Sequence, residues 1–504
     1  MSMADSGAMA PATTGDHNRD DIAALAKGGR TNFFGFLLRL VARIPFLFIA
    51  SRLYGAAAMG RFASALVMVE LAGMLATMGQ KRGLAQRLAE EREHPANAVA
   101  DALLLCTLVS AGAMLLLFAF PTAMYPKGNF SPADELLALA VWLLALGDLA
   151  LAALAYRFDV ATTVRARAVV EPWALSLSAG ALYFVLPESG LSLAYLISVG
   201  SATAVALVAL VRSYGLPRGW LPRPGHLARI AHRNLPLAGA DAVEWGTRKL
   251  DVFVLRFFVG EAPLGIYFFA QQFASLPQKL KTSFEPVLGP VITRNVREEN
   301  FAAIAKQVCQ VGFWITAAQA GIALALAIPG TGLMGLGGPD FVMGTGALIF
   351  LLMAEVVAST AVVSEAALVY VARYQNFVLS LLTIGLQAVL TVGGIWLVRE
   401  AGYSEGWRIA AAAAALMLSL ATASVLKSRL LARVLGEPIN NFRKALAWAL
   451  VPAVAVGAAA RAFLPEWAEI AIGIPAILGI YVWMLWHKGF GPEDRVLFRK
   501  EVAA

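Results

Sequence analysis

Stretches of about twenty predominantly apolar residues recur along this chain from position 32 to position 486, separated by short polar breaks. A helix needs about 20 such residues to cross the hydrocarbon core of a bilayer. Backbone groups in lipid must pair internally, which restricts crossing structures to helices and closed barrels. Barrel strands alternate apolar and polar residues over about ten positions, whereas the runs here are continuous and rich in Ala, Leu and Val. The expected fold is therefore an all-α polytopic membrane protein. Composition agrees: 59% of the 504 residues are hydrophobic and 15% charged, against about 45–50% and about 25% in soluble domains.

Fourteen spans are predicted, near 32–54, 60–80, 97–120, 134–156, 167–187, 190–212, 234–258, 264–284, 311–333, 342–371, 375–398, 406–426, 443–463 and 467–486. The tenth is long enough to be tilted or kinked. The organisation that follows is a tail (1–31), a first lobe of six helices (32–212), a linker (213–233), a second lobe of six (234–426), a pair of C-terminal helices (443–486) and a second tail (487–504). The polar first thirty-one residues lack the basic start and short apolar run of a signal peptide. Lys and Arg are divided unequally between the two sets of loops. One set, with both tails, holds 30 of the 41 basic residues, and the alternate set holds seven. By the positive-inside rule the richer side is cytoplasmic, so both termini are expected in the cytoplasm and the protein in a bacterial inner membrane.

The net charge of +8 is explained by this topology, and no basic domain outside the membrane calls for nucleic acid. Cys106 and Cys309 lie in or beside apolar spans, and the five histidines, at positions 17, 94, 226, 232 and 487, fall on or near the basic side. No disulfide framework or metal site is implied. The chain has no catalytic constellation and no Walker-type phosphate loop. Enzymatic activity and cofactors are therefore not expected, and neither is direct ATP drive.

Two segments repeat. The run RIPFLFIASRLYGAAAMGRFASA from Arg43 and the run RKLDVFVLRFFVGEAPLGIYFFA from Arg248 align with a shift of 205. That shift places Arg43 on Arg248, Phe48 on Phe253, Gly55 on Gly260, Gly60 on Gly265, Phe62 on Tyr267 and Ala65 on Ala270. Each segment opens a block of six spans. Repeated halves related by an axis along the membrane normal are a transporter architecture, with the substrate site between them.

Ionisable residues at mid-bilayer cost about 2.5–3.5 kcal/mol on insertion scales, so each needs a reason. Arg39 and Arg43 share a face of span 1, and Arg248 and Lys249 are central in span 7. These four are the candidate substrate-binding residues, because guanidinium offers forked donors to an anionic group such as a phosphate. Asp241, Glu244, Arg248 and Asp251 follow one another at spacings of 3, 4 and 3, which predicts one helical stripe. Together with Glu70 in span 2, Asp148 in span 4 and Glu355 in span 10, the acids Asp241, Glu244 and Asp251 are candidates for ion coupling; Glu365 in span 10 is a further intramembrane acid. The competing reading is charge pairing that fastens helices together, such as Glu244 with Arg248. Pro45, Pro277, Pro286 and Pro329 mark bends in or beside spans 1, 8 and 9.

The opening GGRTNFFGFLLRLVARIPFLFIASRLYG, the following MGRFASALVMVELAGMLATMGQKRGLAQRLAEE and the second-half LDVFVLRFFVGEAPLGIYFFAQQFASLPQKL carry a resemblance over essentially the whole chain. It resembles the Wzx-type polysaccharide flippases of the multidrug/oligosaccharidyl-lipid/polysaccharide exporter superfamily. In such proteins a short glycine-containing turn joins the first two helices of each half, as Gly55 to Phe62 and Gly260 to Tyr267 do here. The resemblance implies two pseudo-symmetric six-helix lobes plus two C-terminal helices that help form a groove for a polyprenyl tail. It implies transfer of an undecaprenyl-pyrophosphate-linked oligosaccharide between leaflets for cell-surface polysaccharide synthesis, in lipopolysaccharide or exopolysaccharide pathways. Membrane lipids, a polysaccharide polymerase and its assembly machinery are the implied partners. The alternative is a cation-coupled drug or metabolite antiporter from the related multidrug exporters, which typically stop at twelve helices.

Overall fold

The computed structural model of the chain describes residues 42–90, 94–282, 285–491 and 494–495. Among the described residues there are helices and turns but no strands. We name the long helices α1 (42–54), α2 (Gly55–Ala76), α3 (Pro95–Ala119), α4 (Pro132–Tyr156), α5 (160–183), α6 (Gly190–Tyr214), α7 (Pro224–Phe258), α8 (Glu261–Thr282), α9 (Phe301–Ala327), α10 (Thr345–Val371), α11 (Arg373–Glu400), α12 (Glu405–Leu435), α13 (Lys444–Phe463) and α14 (Glu466–Gly489). Ten helical runs among the described residues are long and apolar enough to cross a membrane. Fourteen crossings are consistent with that number. One run, Ala42–Ala89, contains both α1 and α2, and α5, α7 and α8 carry charges that lower their hydropathy.

Local chemistry sets the helix ends. Proline opens α3, α4 and α7, where its missing N–H costs nothing. Asp159 caps α5, accepting from the Thr162 backbone N at 3.0 Å and its hydroxyl at 2.7 Å. Those donors hold its carboxyl below the usual range. Gly436 closes α12 with a left-handed φ of 71°. The helices of spans 7, 9 and 12 extend past their apolar stretches, α7 back to Pro224, α9 back to Phe301 and α12 on to Leu435. Hydropathy registers only the part of a helix inside lipid, so these polar continuations were not visible as spans.

The two lobes repeat each other's packing. In the first, α4 packs on α2, α3 and α6, and α6 packs on α5; in the second, α10 packs on α8, α9 and α12, and α12 packs on α11. The pair α13 and α14 packs together and leans on α9. A shared core runs through both lobes, including Phe46, Met59 and Phe62 on one side and Tyr267, Phe268 and Phe341 on the other.

The lobes meet where α2 crosses α8. A Cβ at Gly60 would lie 1.7 Å from the Glu261 carbonyl oxygen, and one at Gly265 would lie 2.0 Å from the Ala56 carbonyl oxygen. Only residues without a side chain permit this approach, and these two are equivalent in the repeat. The contact is at the end of the molecule with few basic loop residues. Exposed Phe120, Phe184, Trp396, Tyr403, Trp407, Phe463 and Trp467 ring the helix termini there, as an interfacial aromatic belt does. At the opposite, basic end α7 leans on the first lobe: a Cβ at Gly79 would lie 2.6 Å from the Ala238 backbone N.

Candidate functional site

Charged side chains from α1, α2, α4, α5, α7 and the short helix Gln80–Ala89 form a ribbon in which every cation faces an anion. Arg43 on α1 lies 3.6 Å from Glu171 on α5. Glu171 accepts from Arg167 at 2.7 Å, and Arg167 also pairs with Asp148 on α4. Asp148 in turn holds Lys81 at 2.5 Å. The next residue, Arg82, reaches across to α7 and lies 3.4 Å from Asp241 and 3.2 Å from Glu244. Glu244 also pairs with Arg248, at 3.1 Å, one turn further along. Lys249 completes the series 3.3 Å from Glu70 on α2.

The ribbon is accessible. Arg82, Glu244 and Arg43 keep 53%, 50% and 46% of their side-chain surface open. Charges this exposed would be costly against lipid, and their mutual pairing and exposure fit a space that water enters. Six cations and five anions are named in it, so each guanidinium already has a carboxylate and the ribbon carries a small positive excess.

The structure brings together most of the residues singled out from the sequence: Arg43, Arg248, Lys249, Glu70, Asp148, Asp241 and Glu244. Arg39 lies outside the described residues. Asp251 does not join the ribbon. It is fully buried and accepts from the Tyr267 hydroxyl at 2.5 Å and Gln271 Nε2 at 2.8 Å, both on α8. The 3-4-3 spacing explains this. At about 100° per residue, ten residues drift about 80° from the starting face, so the expected single stripe turns away from Asp241 and brings Asp251 against α8. Glu355 is also separate, buried on α10 and accepting from Gln278 at 3.2 Å.

Four members of the ribbon were not among the predicted site residues: Lys81, Arg82, Arg167 and Glu171. Lys81, Arg82 and Arg167 sit at or beyond the ends of the apolar runs, where hydropathy reads a loop. Their one local signal is the i, i+4 spacing of Arg167 and Glu171.

The family model for "Polysaccharide biosynthesis protein" matches residues 31–296, more than half of the chain. The chain belongs to this family. Its fold is also that of two groups of solved transporters. The structure of "Lipid II flippase MurJ" in an inward closed conformation aligns with a TM-score of 0.71 at 12% identity, over 90% of this chain and 97% of that one. An inward-facing multidrug resistance MATE family transporter of the MOP superfamily aligns at 0.63 and 14% identity, over 79% and 98%. An outward-facing structure so described aligns at 0.57 and 14%, over 84% and 99%. No curated protein matches significantly. The chain is thus a multi-pass membrane protein of the polysaccharide biosynthesis family, with a fold shared with solved flippase and multidrug transporter structures.

Proposed function

We propose that the chain flips a polyprenyl-pyrophosphate-linked oligosaccharide from the cytoplasmic to the periplasmic leaflet of the inner membrane. In this reading the basic end faces the cytoplasm, which the unequal distribution of Lys and Arg supports. The single observation that carries the substrate reading is the ribbon between α1, α5 and α7, in which Arg43 and Arg82 are exposed, every arginine is paired and cations are only slightly in excess.

A pyrophosphate and a chain of hydroxyls cannot enter hydrocarbon unsolvated. A cavity lined by Arg43, Arg82, Arg248 and Lys249 replaces water around the head, while the tail stays in lipid. Without substrate, carboxylates occupy the guanidinium forks. A diphosphate offers more charge and the same bidentate geometry, so it exchanges with Glu171 and Glu244 instead of entering a field of unpaired cations. The freed carboxylates then face water. This makes binding reversible, which transport requires at each side.

The mixture of acids and bases also suits a cation-coupled antiporter, and the fold is shared with multidrug transporters. The experiment separates the two. Purified protein is reconstituted in liposomes with a fluorescent polyprenyl-diphosphate oligosaccharide, and probe in the outer leaflet is bleached by a membrane-impermeant reductant. Protein-dependent bleaching beyond the outer-leaflet half is expected. Bleaching equal to that of empty liposomes, together with saturable binding of an organic cation such as ethidium, overturns the flippase reading in favour of the antiporter.

A further inference from the structure

At the sparse end, the last turns of α1 and α7 each send an arginine into the other lobe. Arg52 donates from Nε to the Leu336 carbonyl at 2.8 Å and from Nη2 to the Gly335 carbonyl at 3.1 Å. Those carbonyls end the short helix Gly330–Gly335 that follows α9. Arg256 donates from Nη1 to the Ser64 carbonyl at 2.9 Å and from Nη2 to the Ala123 carbonyl. Ala123 ends the single helical turn Pro121–Ala123 that follows α3. In the repeat, α1 corresponds to α7 and α3 to α9. The first helix of each lobe therefore grips the exit of the third helix of the other.

We infer that Arg52 and Arg256 form a reciprocal latch that holds the two lobes shut at the sparse end and must release for cargo to leave there. The chemistry of the acceptors supports a latch over an ordinary ion pair. The Leu336 and Ala123 carbonyls close short helical turns, where backbone donors run out and the negative end of the turn lies, so a guanidinium satisfies both; the Gly335 and Ser64 carbonyls already take part in backbone pairing and accept the second prong of each fork. Carbonyl acceptors do not titrate, so the grip is insensitive to pH. Each grip is forked, and both cross from one lobe to the other. Neighbouring contacts lie on the same seam: Arg61 on α2 is 3.4 Å from Glu261 at the start of α8, and Gly60 and Gly265 bring the two backbones together. Arg256 is buried, with Phe253 and Phe257 ring centroids 5.2 and 4.7 Å from its guanidinium. Arg52 is exposed. The two halves thus differ, Arg256 set in the seam and Arg52 at its rim.

The latch rests on the proposed transfer between leaflets, with the two lobes opening by turns to each side of the membrane, but not on the identity of the cargo. It is tested without substrate. Spin labels are placed at Glu188→Cys in the first lobe and Glu400→Cys in the second, both exposed at the sparse end, in a Cys106→Ala, Cys309→Ala background. Pulsed electron–electron resonance in nanodiscs then reads the distance between lobes. Arg52→Gln and Arg256→Lys are each expected to raise the long-distance population, by about tenfold or more in the ratio of open to closed forms, and the double variant further. A monodisperse elution profile and unchanged helicity establish that the variants are folded. Arg52→Gln guards against failure of the buried site, because its side chain lies at the surface. A distance distribution for Arg52→Gln identical to the parent overturns the latch. A shifted distribution alongside failed oligosaccharide flipping leaves the latch standing and removes the cargo reading alone.

Discussion

Arg248 illustrates how a residue's surroundings decide what its loss will do. In the sequence it pairs with Glu244 one turn away, and removing it would strand a buried carboxylate. In the structure Glu244 is half exposed and also bound by Arg82. Removing Arg248 therefore leaves Glu244 with a partner and with water. We expect Arg248→Gln to change stability by less than about 1 kcal/mol, in the range of exposed pairs. If Arg248 holds the diphosphate, the same substitution removes a charge-assisted contact of roughly 1.5–3 kcal/mol. Binding of a polyprenyl diphosphate should then weaken about ten- to a hundredfold. Lys restores the charge but not the fork, so Arg248→Lys should recover only part of it. The double variant Glu244→Gln, Arg248→Gln separates structure from binding. Normal affinity in that variant, measured by titration in detergent, means that Arg248 serves packing alone. At this scale the sequence exposed the misplaced charges but not all of their partners. Arg43 and Arg248 stand out because they interrupt apolar runs. Lys81, Arg82 and Arg167 sit where a hydropathy window already sees a loop, and only the fold shows that they turn back toward Asp148 and Glu244.

Between elements, the repeat was legible where it has to be identical and obscured where it does not. Gly60 and Gly265 aligned by a constant shift because each must let a backbone pass, and the structure puts them against each other's helices. Arg52 and Arg256 did not align. The same shift pairs Arg52 with Phe257, and α1 is wound as a π-helix over Ala50–Tyr54 where α7 is regular. One residue of register is enough to hide the correspondence from a sequence comparison. The glycine contact makes its own prediction. Gly60→Ala and Gly265→Ala place a methyl group against a backbone carbonyl, so the helices must separate. A cost of about 1–3 kcal/mol is expected for such overpacking, read as a lowered midpoint of thermal unfolding in detergent. Gly112 on α3 is the control, since a Cβ there meets nothing within 4 Å. Gly112→Ala should leave the midpoint unchanged or raise it slightly, because alanine restricts the unfolded chain. Equal midpoints for all three variants would mean that the α2–α8 crossing is looser than these distances state.

For the whole molecule, three properties point the same way: apolar length, the unequal distribution of basic residues and a two-lobed fold closed at the sparse end. Apolar length was readable because lipid imposes it residue by residue. Closure was not, since it depends on contacts between positions some two hundred or more residues apart, as with Arg52 and Leu336 or Arg256 and Ser64. The direction of transport joins these properties. If the loops rich in Lys and Arg mark the cytoplasm, the seam closed by Arg52 and Arg256 is periplasmic, and the charged ribbon is reached from the side where lipid-linked sugars are assembled. This orientation is measurable in intact cells. Single cysteines at Lys127 and Glu188, both exposed at the sparse end, should react with a membrane-impermeant maleimide added from outside. A cysteine at Arg229, exposed near the start of α7, should react only after the membrane is permeabilised. The reverse pattern would put the opening to the ribbon on the periplasmic side and overturn the proposed orientation.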